Sequence, residues 1–195
     1  MLREALKADD FFVAADGAAQ MALALGRVPD AVIGDFDSLD AATRARLPAS
    51  ILHHVAEQDS TDFEKCLTRI AAPVVLCFGF TGARLDHELA VYNVIARTTD
   101  KTAIVIGAED ICLHVPRGIS LALPVGTRVS LFPMAAVTGR SDGLEWPIAG
   151  LSFAPDGRIG TSNRTVAPEI HLDFDQPGML LILPKEHLAT VRAAL

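Results

Sequence analysis

Apolar residues fall in two different rhythms along this 195-residue chain. Up to about residue 115, short apolar runs alternate with segments whose apolar positions recur every three or four residues. FFVAAD (11–16), AVIG (31–34), ILHHV (51–55), PVVLCFGF (73–80), TAIVIG (102–107) and ICLHV (111–115) read as strands. AAQMALALG (18–26), AATRARL (41–47), TDFEKCLTRIA (61–71) and RLDHELAVYNVIART (84–98) read as helices, and so does the opening MLREALKADD. In the third of these, Phe63, Cys66, Leu67 and Ile70 share a face. Strands separated by helices predict an α/β N-terminal domain with a mostly parallel, Rossmann-like sheet.

Beyond about residue 116 the helical rhythm stops. ISLALP, TRVSLFPM, EIHLDF and MLLILP are separated by Gly, Pro, Asn and Asp, and helix returns only in KEHLATVRAAL at 185–195. This predicts an all-β C-terminal sandwich domain. The boundary is expected at Pro116–Gly118, giving domains 1–116 and 117–195.

Half the residues are hydrophobic and the mean hydropathy is +0.33, so a packed core is expected and global disorder is excluded. Acidic residues outnumber basic ones 24 to 17, a net charge of -7, which argues against nucleic acid as partner. No apolar window is long enough for a membrane span, and the N-terminus lacks a signal-peptide pattern. Cys66, Cys77 and Cys112 show no CxxC spacing and read as buried reduced thiols of a cytoplasmic protein.

The charge is unevenly spread. Residues 30–65 hold eight acids and three bases, leaving -5 of the -7 there. Gly34-Asp35-Phe36-Asp37-Ser38 follows a strand, and extended geometry would aim Asp35 and Asp37 the same way. Ligands of open α/β sheets bind at that carboxyl edge, and Asp16-Gly17 ends another strand. Crowded carboxylates repel unless a cation intervenes, and Mg²⁺ suits hard oxygen ligands. Thr61 and Glu64 form a capping box opening a helix that carries Asp62 and Lys65. A lysine so near a helix N-terminus opposes the dipole, which leaves two readings, the neighbour of an anion such as phosphate or an ordinary surface cation. In Gly79-Phe80-Thr81-Gly82-Ala83-Arg84 the glycines admit a close phosphate and Arg84 offers paired donors. No Walker A sequence is present.

In order, ADGA (15–18), PDAVIGDFDSL (29–39), QDSTDFEKCL (58–67), TGARLDH (81–87), GLEWP (143–147) and TSN (161–163) resemble the thiamine pyrophosphokinase family. The resemblance implies an α/β nucleotide-binding domain followed by a β-sandwich. It implies transfer of pyrophosphate from ATP to thiamine with Mg²⁺, in a homodimer. By match of motif, Asp16, Asp35, Asp37 and Asp62 would be metal and phosphate-site acids. Gln58, Thr61, Lys65 and Arg84 would line the nucleotide, Trp146 would be a platform for thiamine, and Ser162 and Asn163 its polar contacts. Asp86 would be a site carboxylate of unassigned partner, and either Asp37 or Asp86 would take the alcohol proton. Ala18 and Ala83 stand where the family commonly has glycine, and its usual strand ahead of ADG is replaced by about ten residues that read as helix. Two other classes compete: a non-catalytic thiamine or nucleotide binder of the same fold, and a DxD phosphohydrolase or nucleotide-sugar transferase.

Overall fold

A computed structural model describes residues 10–195; the helix expected at the start of the chain lies outside them. The described residues form two compact units that divide between residues 71 and 72.

In the first unit, strands β1 (Val13–Ala15), β2 (Ala31–Gly34) and β3 (Leu52–His54) make a parallel sheet with β2 in the middle. Helix α1 (Ala18–Ala24) joins β1 to β2. It ends where Gly26 takes φ +76, a left-handed turn that glycine enters at little cost. Helix α2 (Ala41–Ala45) is capped by Asp40, whose carboxylate accepts from Thr43 N–H at 2.7 Å, and helix α3 (Asp62–Leu67) by Thr61, which accepts from Glu64 N–H at 3.3 Å. All four β2 residues are buried. Val32 packs with Ala14, Ala19, Leu39 and Leu47, while Ala31 and Ile33 pack with Val55 and Cys66. The sheet is therefore covered on both faces, as parallel strands require. Helix α3 stops well short of the 61–71 expected, with Thr68 as its C-cap and the Thr68 hydroxyl donating to Glu64 O at 2.8 Å.

The second unit is built on a six-stranded sheet in the order β10-β8-β12-β6-β5-β4 and a three-stranded sheet in the order β7-β11-β9. The larger comprises β4 (Val74–Phe78), β5 (Thr102–Ile106), β6 (Asp110–Val115), β8 (Arg128–Pro133), β10 (Gly160–Arg164) and β12 (Met179–Pro184). The smaller comprises β7 (Gly118–Ala122), β9 (Gly139–Asp142) and β11 (Glu169–Phe174). Only β4 and β5 pair in parallel; they are linked by helix α4 (Leu85–Arg97). One apolar cluster draws on both sheets, with Ile104, Leu113, Leu121, Leu131, Ile170, Met179 and Leu181 all at most 1% exposed. A last helix, α5 (Leu188–Ala194), buries Val191.

The unit divide at 71/72 precedes the boundary expected at Pro116–Gly118. Strands β4 to β6 share a sheet with β8, β10 and β12 from beyond residue 116. Among the described residues no helix is long and apolar enough to cross a membrane.

Candidate active site

The carboxyl ends of β1 and β2 lie side by side, and each turns immediately into a loop that carries an acid. Asp16 leaves β1 with φ +40, its N–H still bonded to Ile33 O at 2.9 Å. Phe36, between Asp35 and Asp37, has φ +66. The two aspartates are thus brought together by a left-handed turn, with Asp37 N–H donating to Asp35 Oδ1 at 3.2 Å, and not by the extended backbone expected. Arg44 stacks 5.5 Å over the Phe36 ring and His54 packs 5.4 Å from it, which holds the strained residue in place.

The two loops touch back to back. A Cβ on Gly17 would meet Ser38 O at 2.9 Å, and one on Gly34 would meet Asp16 Cβ at 2.7 Å. Both glycines are therefore spacers that allow close approach. Ser38 N–H donates to Asp16 Oδ2 at 3.1 Å, and Ser38 Oγ–H to Asp37 Oδ1 at 2.9 Å.

Oxygens of Asp16, Asp35 and Asp37 lie within 4.8 Å of one another. Asp16 is 1% exposed, and its Oδ1 is buried without a hydrogen-bond partner. Burial pushes its carboxyl up to about 6; the Ser38 amide opposes this, and the charges of Asp62 and Asp37 add to it. Asp35 goes the other way. It is held down to about 2 by the Lys65 ammonium first, then by the Asp37 amide and Gln58. Lys65 Nζ lies 3.0 Å from Asp35 Oδ2, and Gln58 Nε2 donates to the same oxygen at 2.9 Å.

Lys65 is the surprise of the site. It is 2% exposed, and its ammonium lies between Asp35 and Asp62, the second at 3.5 Å. Burial pulls its pKa down, but the two carboxylates outweigh burial and leave it above the ordinary lysine value. The anions that offset its place near a helix N-terminus are, in this structure, carboxylates. Asp62, whose carboxyl is raised by its own burial, faces Lys65 and is not one of the three clustered acids. Thr61 serves α3 as its cap.

Three hard carboxylate oxygens at this spacing, one buried with an empty acceptor, are a donor set that fits a small divalent cation such as Mg²⁺. The unsatisfied Asp16 oxygen is the telling part, since a buried acceptor without a donor is costly.

In the second unit, Arg84 and Asp86 form a forked pair, Nε to Oδ1 at 3.2 Å and Nη2 to Oδ2 at 2.7 Å, with both side chains exposed. This supplies the partner of Asp86, whose carboxyl Arg84 holds down to about 2. Gly79 and Gly82 take φ +79 and +81 in the loop before α4. The N–H of Gly82 donates to Glu88 Oε2 at 2.9 Å, and Tyr92 O–H donates to Glu88 Oε1 at 3.0 Å. Glu88 thus braces this loop from inside α4, a role that sequence reasoning missed. Its only advance signal is the Glu88–Tyr92 spacing of four. Ser38 also bonds within the cluster, although its place in the GDFDS string suggests only a turn residue. Trp146 is 55% exposed, Asn163 is buried beneath it, and Ser162 has φ +62.

The same arrangement of elements occurs in solved structures. A thiamin pyrophosphokinase from Geobacillus thermodenitrificans superposes with a TM-score of 0.77 over 94% of this chain and 89% of its own, at 22% identity. Yeast thiamin pyrophosphokinase does so with 0.72 over 90% and 78%, at 18% identity. By sequence, Thiamine pyrophosphokinase 1 of Oryza sativa is 27% identical over 166 residues, 75% of this chain and 63% of that protein. The Arabidopsis thaliana protein of the same name is 24% identical over 166 residues, 75% and 62%. The chain thus spans somewhat over three-fifths of these curated relatives. Residues 2–106, more than half the chain and including every residue of the acidic cluster, match the family described as "Thiamin pyrophosphokinase, catalytic domain", so the chain belongs to the thiamin pyrophosphokinase family.

Proposed function

We propose that this protein transfers the pyrophosphoryl group of ATP to the hydroxyl of thiamine, giving thiamine diphosphate and AMP. The observation that carries this reading is the buried, unpartnered Oδ1 of Asp16 beside Asp35 and Asp37. These three carboxylates would hold Mg²⁺, which when bound supplies the charge neutralisation that phosphoryl transfer demands.

The protein's own groups prepare that site. Lys65, Gln58 and the Asp37 amide keep Asp35 ionised and fixed in direction. Asp62 completes the cradle of Lys65, and Thr61 fixes the first turn of α3 that carries both. In the second unit, Asp86 grips one edge of Arg84 and leaves Nη1 for an anion. A carboxyl held down to about 2 is a poor proton acceptor, so Asp86 acts as the orienter of Arg84. The exposed indole of Trp146 suits a flat cationic heteroaromatic ring such as that of thiamine. In this reading residues 1–116 serve nucleotide and metal, residues 117–195 serve thiamine, and the protein works as a homodimer.

The test is AMP release with ATP, thiamine and Mg²⁺, each omitted in turn. AMP is expected only when all three are present. AMP without thiamine would replace the reading with a phosphohydrolase; tight thiamine binding without AMP would replace it with a binding protein.

A further inference from the structure

Strand β10 does not run evenly along β8. Its register shifts between Gly160 and Asn163, and inside that bulge Ser162 holds φ +62, its N–H donating to Ser130 Oγ at 2.9 Å. Bulges re-aim the side chains that follow them. Here the consequence is that Asn163 turns inward and is 7% exposed.

Its amide grips the main chain of Trp146 on both sides and also takes the next amide along its own strand. Asn163 Oδ1 accepts from Trp146 N–H at 3.2 Å and from Arg164 N–H at 2.8 Å, and Nδ2 donates to Trp146 O at 2.7 Å. The segment on either side is anchored by Leu144 and Ile148, 4% and 2% exposed. The backbone of Trp146 is thus fixed while its indole stays largely in solvent. The guanidinium of Arg164, paired with Glu145, lies 6.0 Å from the indole centroid. The amide that holds Trp146 therefore also holds Arg164, whose cation stands over one face of a ring that remains 55% exposed.

We propose that Asn163 is a positioning residue for Trp146: its buried amide sets the height and plane of the exposed indole, so that a flat cationic ring meets a surface already in place. This rests on the reading of Trp146 as the thiamine platform. It departs from the expectation that Asn163 touches thiamine itself, because its oxygen already serves two donors and one of its two N–H groups is committed. A preformed platform lowers the ordering cost of binding.

Trp146 is the only tryptophan, so fluorescence excited at wavelengths beyond the absorption of Tyr92 reports on this site alone. Acrylamide quenching and time-resolved anisotropy are measured without substrate for the wild type, Asn163→Ala and Asn163→Asp. The aspartate keeps the accepting oxygen but sets a second oxygen against Trp146 O; should the alanine variant fail to fold, it carries the test. Loss of the clamp is expected to raise quenching about twofold and add fast local motion in Asn163→Ala, with intermediate values in Asn163→Asp. The KM for thiamine is expected to rise about tenfold, the equivalent of one hydrogen bond, with kcat changed less than about threefold. Folded variants with wild-type quenching and anisotropy would overturn the proposal. Loosened fluorescence with an unchanged thiamine KM would uphold the clamp and overturn the platform reading of Trp146.

Discussion

Replacing Gly34 by alanine tests whether the acidic cluster is set by two turns packed back to back. The new Cβ would stand 2.7 Å from Asp16 Cβ, 3.1 Å from its Cγ and 3.2 Å from its Cα. Such contacts become ordinary only at 3.4 Å, so about 0.7 Å must be found. Asp16 has little room to yield. Its N–H is bonded to Ile33 O at 2.9 Å, its carboxylate takes the Ser38 amide at 3.1 Å, and its backbone is already at φ +40. The clash falls on Cβ and Cα, so relief carries the carboxylate along with it. Overpacking of this kind costs about 1–3 kcal/mol of stability. A displacement approaching 1 Å at a site that positions reacting groups costs roughly 100-fold in rate. We therefore expect Gly34→Ala to fold with a lowered urea midpoint, to bind Mg²⁺ more weakly by calorimetry, and to release AMP roughly 100-fold more slowly. Gly157→Ala is the control, since its Cβ would lie 3.4 Å from that of Ala154. Wild-type Mg²⁺ affinity and turnover in folded Gly34→Ala would refute the reasoning.

Two further outcomes follow from ionised groups. Lys65→Met removes the cation between Asp35 and Asp62 and should lower stability most at neutral pH. The depressed carboxyl of Asp35 contributes stability above its ordinary value of 3.8 and loses it as pH falls through about 2, so the deficit of the variant should narrow in acid; equal deficits in urea at pH 7 and pH 3 would count against this. His114 on β6 accepts from Gly178 N–H through Nε2 at 2.9 Å, which leaves the proton on Nδ1, 3.3 Å from Thr98 O. Burial holds its pKa below the usual 6.5, so the unfolded chain takes up the proton first. The stability this group contributes is complete above 6.5 and is lost as pH falls below it toward the folded value. Thermal midpoints of His114→Gln should therefore depend less on pH between 7 and 5, and a variant that keeps the wild-type slope would contradict the assignment.

Local pattern carried much of the first unit. Val32 and Ile33 between small or polar neighbours announced a buried strand, Gly26 its preceding helix end, and the strings GDFDS and DSTDFEK the position of the acids. What pattern could not carry was distance along the chain. Lys65 meets Asp35 from 30 residues away, so its burial is invisible in a sequence where lysine beside a helix start suggests only an exposed cation or an anion site. Similarly, Val74–Phe78 and Thr102–Ile106 read as strands, but nothing local says that β5 pairs antiparallel with β6 and joins the C-terminal sheet. Strands β9 (GRSD) and β10 (GTSNR) were missed because neither alternates apolar and polar residues. Trp146 was legible as a candidate through the match of GLEWP to the family; the amide that holds it depends on a bulge that no periodicity reports.

The position of β12 has a consequence for how this protein is made. Met179–Pro184 lies between β6 and β8, paired with both, yet it leaves the ribosome after every other strand of the described residues. Until it arrives, the apolar edges of β6 and β8 have no mutual partner and the larger sheet is two fragments. Late closure by a central strand makes the slow step a long-range one. Nascent chains stalled before residue 179 should accordingly be the species that chaperones hold, while the parallel sheet of residues 13–54, complete much earlier, has no such wait.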